Sequence, residues 1–508
     1  MLKLLQAMAS TGGASLISQF LGILTNKILA VTMGPAGVGI WGLYRQLLDT
    51  TAALASVGSG GGMVQGVSST EGEARLRRLR AAMTLNALAI LVSAFVLILL
   101  APVLAEKYMV RPDPKVVQII CFLGVPLGFV LTSTMLWNLV SISREYRLLA
   151  VLVVTPAAAS LVFAFPFATM AADDNQWGYF GLLMAPPVLQ FALAVPIVRR
   201  LGWLGDIRAA LTVTPGRDDY WHFVRIHSTA VLAYFASFVV FLVLPPLLVV
   251  NYGLDANGFF RAAYSLSLQS LAIVLASMSA YLFPVMSGAK SEEERQQLFE
   301  NSALVLFMLI IPITAGLILF QPLVIKILFD RAFLPAVDML QWMLLGNYFR
   351  VVHWLFLNVS TTRAHMTLYT VTETGFWLGL LGLGWLAVAF PAGQGPIPWL
   401  SGIEGIGLAF FASFVVTTAI TVTVTWKRYG TFTSPRLTFL WVLGLLIIVA
   451  CEALTWRSRT VDWPVSIGMA LVACAAPLIM LDAGRRAQLG ELWQRIRNRG
   501  AESGTPSP

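Results

Sequence analysis

The chain has 508 residues, 57% of them hydrophobic and only 12% charged, with a net charge of +9 and a mean hydropathy of +0.77. A soluble domain carries about 25% charged residues, so this composition excludes a soluble globular protein and points to repeated apolar segments of the ~20 residues that cross a bilayer. The positive balance then reads as membrane topology rather than nucleic-acid binding. Three cysteines set in apolar runs, Cys121, Cys451 and Cys474, have no metal or redox spacing and read as small core residues.

Taken in chain order, fourteen spans are predicted, centred near residues 22, 52, 92, 129, 159, 189, 238, 273, 309, 348, 378, 415, 446 and 473. The N-terminus runs almost directly into the first, so no cleavable signal is expected. Spans one and two form a hairpin turning at MGPAGVG, which begins at Met33. A glycine run, Gly58 with Gly60 to Gly62, closes the second span. It is expected to thin a cavity wall or to act as a hinge near the cytoplasmic end. Spans one to six make a first lobe, residues 1–198. A long basic loop, 199–225, joins it to a second lobe of spans seven to twelve, 226–430. Two extra spans, 431–484, and a basic tail, 485–508, complete the chain. The tail reads either as an amphipathic helix on the anionic leaflet or as a solvated end. Twenty-three Lys and Arg fall in one set of connections, seven in the other and four inside spans. With an even span count, that bias puts both termini in the cytoplasm.

The first hairpin has an echo. AVTMGPAGVGIWGLY from Ala30 and VVNYGLDANGFFRAA from Val249 align at a shift of 219, which sets Gly34 on Gly253, Gly39 on Gly258 and Trp41 on Phe260. The same shift sets Arg144 on Arg363. An offset of six spans preserves direction across the membrane. The copies are therefore parallel repeats related by a pseudo-two-fold axis along the membrane normal, the architecture of rocking-lobe transporters with substrate between the halves. The fold class is all-α and polytopic: two six-helix lobes plus two C-terminal helices.

A charge at mid-membrane costs roughly 2.5–3.5 kcal/mol on insertion scales. Lys27 and Arg45 lie at matched depth across the first hairpin, which favours a wet cavity over lipid, though both can be read as snorkelling to the interface. Asp49, four residues after Arg45, partly neutralises it and is a candidate for ion or proton coupling. Arg261, at the mouth of its span, fits a snorkelling reading as well as a functional one. Arg350 sits near the middle of its span. His353 and Glu373 share a depth across the next hairpin, and the trio reads equally as a structural tie or as a proton or ion relay. Four cations against two carboxylates suit an anionic substrate. The four histidines make no zinc spacing, and no nucleotide-binding, nucleophile-elbow or metal motif is present. The chain reads as a transporter rather than an enzyme, with no cofactor and no metal.

The stretch NKILAVTMGPAGVGIWGLYRQLLDTTAALASVGSGGGMVQGVSS from Asn26 resembles the first hairpin of the Wzx polysaccharide flippases, most of all the enterobacterial common antigen type. The matching features are Lys27 before Leu-Ala, GPAG from Gly34, Arg45 with Gln46, and the glycine cluster. YLFPVMS from Tyr281 and FLPAVDMLQWMLLGNYFRVV from Phe333 extend the likeness, which is strong over residues 10–70 and diffuse to about residue 430. The resemblance implies the multidrug/oligosaccharidyl-lipid/polysaccharide exporter superfamily, two lobes in a V, and alternating access. It implies transfer of undecaprenyl-pyrophosphate-linked oligosaccharide from the cytoplasmic to the periplasmic leaflet of a bacterial inner membrane, coupled in relatives to a proton or sodium gradient. Common relatives of this type stop at twelve spans. Fourteen is the count of the lipid II flippases, whose first hairpin differs. On this reading Lys27, Arg45, Arg350 and Arg261 bind pyrophosphate, while Trp41, Tyr44 and Tyr264 stack on sugars. Partners are the lipid-linked glycan, membrane lipid and other glycan-assembly proteins. The rivals are a cation-coupled small-molecule exporter of the same fold, a membrane glycan polymerase, and a non-transporting scaffold.

Overall fold

The computed structural model describes residues 2–289, 291–363, 366–430, 433–455 and 462–479, and the described residues contain helices and no strand. In chain order the α-helices are α1 Leu2–Ala55, α2 Gly61–Ser68, α3 Gly72–Val103, α4 Pro114–Phe122, α5 Gly124–Ile142, α6 Tyr146–Ala172, α7 Gln176–Arg200, α8 Trp203–Ala210 and α9 Arg217–Tyr252. They continue with α10 Leu254–Gly288, α11 Glu292–Leu319, α12 Gln321–Leu328, α13 Val337–Thr361, α14 Met366–Val388, α15 Ile403–Tyr429, α16 Pro435–Thr455 and α17 Trp463–Ile479. Every expected span centre falls within one of these helices, two of them in α1. Among the described residues ten helices are long and apolar enough to cross a membrane, with α1 counted once and Trp463–Pro477 shorter. The basic tail expected over 485–508 lies outside the described residues.

The described residues pack as two compact units. The first is Met1–Gln269 with Pro322–Gly346 and Met366–Thr417; the second is Ser270–Gln321 with the described parts of Asn347–His365 and Thr418–Pro508. These units reflect packing, whereas the lobe boundaries at 198 and 226 express sequence symmetry.

The hairpin expected at MGPAGVG exists. Gly34 takes φ 65° and ψ −175° inside α1, a conformation essentially restricted to glycine. Pro35 then opens the returning arm, where its missing N–H is harmless. The two arms double back, since Gly22 and Thr25 of the first line the same cavity as Trp41 and Leu48 of the second. The repeat equivalent behaves alike: Gly253, between α9 and α10, takes φ 86° and ψ 172°. Within the first unit the two turns interlock. A Cβ on Gly258 would lie 2.1 Å from Pro35 O, and one on Gly39 would lie 2.4 Å from Leu254 O and 3.1 Å from Gly258 N. Asn257, fully buried, donates from Nδ2 to Gly39 O at 2.8 Å. Gly39 and Gly258 are equivalents under the 219-residue shift. Contact between equivalents is what a two-fold axis passing between α1 and α10 requires.

Two sequence expectations change here. The glycine run does not line the cavity. It breaks the chain between α1 and α2, where a Cβ on Gly58 would meet Ala82 O at 2.2 Å and Asn138 Nδ2 donates to Ser59 O at 2.6 Å. The missing side chains thus let α1, α3 and α5 meet closely. The segment 199–225 is not simply a loop, because it holds α8 and the start of α9. Gly202 turns the chain at φ 83°, and Asp219 accepts from Gly216 N at 2.9 Å to begin α9. The basic stretch of α3 clamps both: Arg75 pairs with Asp206 at 3.3 Å and lies over the Trp203 ring, while Arg78 pairs with Asp219 at 3.3 Å.

Candidate functional site

The first unit encloses a cavity of about 610 Å³ walled by both arms of α1 and by α5, α6, α7 and α10. Its floor of prolines, Pro156, Pro186 and Pro187, supplies no N–H donors of its own. The charged groups are Arg45, Asp49 and Arg261, two cations against one carboxylate. Arg45 Nε donates to Asp49 Oδ2 at 2.8 Å across one helical turn. Their side chains keep 44% and 52% exposure in a membrane-length helix. That exposure belongs to the cavity they line, and it answers the cost of placing such groups against lipid.

Arg261 enters from α10. Its stem occupies space that only the absent side chain of Gly42 leaves open, since a Cβ there would lie 2.7 Å from Arg261 Nε and 3.0 Å from Cγ and Cδ. Nη1 donates to Gln46 Oε1 at 3.3 Å, but Nε and Nη2 are buried without a hydrogen-bond partner among the described residues. Trp41 Nε1, in the same wall, is likewise unpartnered. Buried donors left unspent cost about 1–3 kcal/mol each, so the wall holds a standing demand for an acceptor. Tyr264, one turn beyond Arg261, also lines the cavity and packs its ring against Phe241 and Phe260.

The remaining expected site residues sit elsewhere. Lys27 Nζ donates to Lys326 O at 2.9 Å and to Phe329 O. It satisfies carbonyls at the C-terminal end of α12, where a cation is favoured, and is not free to face the cavity. Tyr44 is a correction: it is fully buried, donates to Gln176 Oε1 at 3.1 Å and packs beside Tyr179, so it belongs to the core and does not line this cavity. Arg350 and His353 fall in the second unit. Arg350 is half-buried, and His353 Nδ1 lies 2.9 Å from Thr421 Oγ1 between buried side chains. Glu373 is half-buried on α14. Among the described residues no group of His, Cys, Asp and Glu is arranged to hold a metal ion.

Sequence reasoning missed Gly42 and Gln46 as site residues. The signal was present, since a shift of 219 sets Gly42 on Arg261 and Arg45 on Tyr264. Near a two-fold axis, equivalents touch.

The model of a family described as polysaccharide biosynthesis protein matches residues 4–290. The chain is 22% identical over 439 residues to the lipid III flippase of Escherichia coli (strain K12) and equally to that of Shigella flexneri, covering 84% of this chain and 100% of each relative. Among solved structures, the lipid II flippase MurJ in an inward closed conformation is similar at TM-score 0.70 and 13% identity, covering 96% of this chain and 100% of that one. An inward-facing multidrug MATE transporter of the MOP superfamily is similar at TM-score 0.62 and 12% identity, covering 86% and 96%. At such identities the structural likeness is one of fold. The family match spans more than half of the chain, which therefore belongs to the polysaccharide biosynthesis protein family.

Proposed function

We propose that this protein is a flippase. It moves undecaprenyl-pyrophosphate-linked oligosaccharide from the cytoplasmic to the periplasmic leaflet of a bacterial inner membrane by alternating access, for surface or exopolysaccharide synthesis. The observation that carries this reading is the wet cavity holding Arg45, Asp49 and Arg261, with Arg261 Nε and Nη2 unspent. A pyrophosphate supplies the acceptors those donors lack, and charge-assisted bonds to it are about twice as strong as neutral ones. Polar lining such as Asn26, Ser160 and Gln190 receives hydroxyl groups, and Trp41 and Tyr264 offer ring faces. The relatives named lipid III flippases support a lipid-linked cargo. The bias of Lys and Arg supports cytoplasmic termini, which sets the interlocked Gly34 and Gly253 turns on the periplasmic side. A proton or sodium gradient is the energy source we favour. A cation-coupled drug exporter is the weaker reading, because its cavity needs an excess of carboxylate and here cations outnumber Asp49 two to one.

The test is deletion of the gene followed by mass spectrometry of polyprenyl-pyrophosphate glycans, with an impermeant glycan probe reporting the leaflet. Complete oligosaccharide trapped on the inner leaflet is expected. Arg45→Ala and Arg261→Ala should each fail to restore export, because loss of a charged hydrogen-bond donor removes about 1.5–3 kcal/mol. If both variants export normally, the cationic cavity is not the route. If finished glycan reaches the outer leaflet in the deletion strain, the protein is not the flippase.

A further inference from the structure

Glu452 is a carboxyl group that the cavity does not use. It lies near the end of α16, in the pair of helices beyond the sequence repeat. It is 5% exposed, and among the described residues neither Oε1 nor Oε2 has a hydrogen-bond partner. Its neighbours on the helix are Cys451, fully buried, and Thr455, whose hydroxyl donates to the backbone carbonyls of Cys451 and Glu452 rather than to the carboxyl.

The packing around it is known within the second unit. Gly444 of α16 lies against Ile311 of α11, where a Cβ would come within 2.5 Å of Ile311 Cδ1. Phe320, just past the end of α11, stacks on Trp463, the first residue of α17. The ends of α11 and α16 are therefore at one level, and Glu452, eight residues beyond Gly444, is near that end. The charged groups of α11, Glu292 to Arg295 and Glu300, are at its other end, about 28 Å away at 1.5 Å per residue. On α16 itself Arg436 is about 24 Å away by the same rise. α17 carries no charge, and its one titratable side chain, Cys474, is exposed. Asp462, before α17, is exposed. Arg457 and Arg459 follow in the connecting sequence. α13 packs on α16 as well, where Tyr348 donates to Trp441 O at 2.8 Å. It runs antiparallel to α11, with Tyr348 on Phe307 and Phe356 on Phe299, so Arg350 and His353 lie toward the end away from Glu452. Among the described residues no hydrogen bond reaches its carboxyl to compensate it.

An ionised carboxylate in such a place carries several kcal/mol of desolvation, and no partner among the described residues offsets it. A neutral carboxylic acid of the same shape carries far less. We propose that Glu452 is a proton-binding site, holding its proton while α16 is packed against α11 and α17. It releases that proton to water only when those helices part. The O–H bond then breaks, the proton passes to water, and the electron pair stays on the carboxylate. This proposal is independent of the cargo. It gives the two extra helices a chemistry of their own: their packing is tied to acidity on the side of the membrane where α16 ends.

The test uses the full chain, purified in lipid nanodiscs, as wild type, Glu452→Gln and Glu452→Met. Infrared difference spectra of wild type minus Glu452→Gln at neutral pH should contain a protonated-carboxyl carbonyl band. The melting temperature of wild type relative to both variants should fall as the pH is raised, because the neutral replacements never have to ionise. A carboxylate band at neutral pH, or a melting temperature that tracks both variants at every pH, overturns the proposal. Methionine serves as the second neutral replacement if glutamine fails to fold.

Discussion

A methyl group at Gly258 should part the interlocked turns of α1 and α10. The Cβ of Gly258→Ala would lie 2.1 Å from Pro35 O and 2.7 Å from Pro35 C. Both are backbone atoms that cannot swing aside, and a real Cβ does not come within 3.0 Å of them, so the two turns must part by about 0.9 Å or more. Overpacking of this kind costs about 1–3 kcal/mol, and the bond from Asn257 to Gly39 O lengthens with it. The closed contact should therefore lose population by roughly 5- to 150-fold, the range that 1–3 kcal/mol spans. A cysteine at Ser265, in the cavity wall, reports this in a background lacking Cys121, Cys451 and Cys474. The assay is the rate of labelling by an impermeant maleimide applied to the side on which the turns lie, periplasmic under the proposed topology. Gly61→Ala is the control, because a Cβ there meets nothing within 4 Å. If Gly258→Ala folds yet labels no faster than Gly61→Ala, the turn contact is not the closure.

Tyr44→Ala should lower the melting temperature strongly, by the equivalent of about 3–5 kcal/mol for a large buried ring, while Tyr44→Phe loses about 0.5–1.5 kcal/mol for its bond to Gln176. Tyr44→Phe should leave glycan binding unchanged, and reduced binding would return Tyr44 to the cavity. Burial, then Arg78 and Arg225, push the pKa of His222 below the ordinary histidine value. The native state thus favours the neutral ring, so stability is full above the ordinary histidine pKa near 6.5 and is lost as the pH falls below it. Melting curves of His222→Gln should show less of this acid loss than wild type, and identical curves would remove His222 from the account. Asp49→Asn frees Arg45 from its partner at 2.8 Å. Because the pair is half exposed, binding of inorganic pyrophosphate measured by calorimetry should tighten only about 1.5- to 5-fold, and weaker binding would show that Asp49 positions Arg45 rather than competes for it.

Much of this was legible in the sequence because it rests on helical period and on glycine. Gly34 followed by Pro35 announces a turn, and its echo at Gly253 announces a second copy. Arg45 and Asp49 are one turn apart and had to share a face. Tyr44 was misjudged for the same geometric reason, since one residue is about 100° of helix and carried it from the cavity to the core. Lys27 found backbone carbonyls of α12, and carbonyls leave no mark in a sequence. The segment 199–225 looked like a loop because its charges were counted without their partners: Asp206 and Asp219 are the anions that the arginines of α3 needed. Glu452 went unnoticed because one carboxyl near the end of an apolar span looks interfacial until its neighbours are known.

The contact between the turns and the proposed anion site are parts of one arrangement. α10 carries Gly258, which closes on Pro35, and three residues later Arg261, whose stem fills the space at Gly42 and whose Nη1 reaches Gln46. Three residues place Gly258 and Arg261 on nearly the same face of the helix, so α10 cannot withdraw from α1 at Gly258 and leave Arg261 where it is. Parting the turns takes a cation away from Arg45. What remains on α1 is Arg45 paired with Asp49, close to neutral. A cavity that binds a pyrophosphate through two arginines while the turns are closed, as proposed, would hold it through one neutralised arginine once they part. Loss of one charged hydrogen-bonding partner is worth about 1.5–3 kcal/mol, or roughly 10- to 150-fold in affinity. Opening and release are then the same movement, and the glycines that allow α1 and α10 to touch are what couple them.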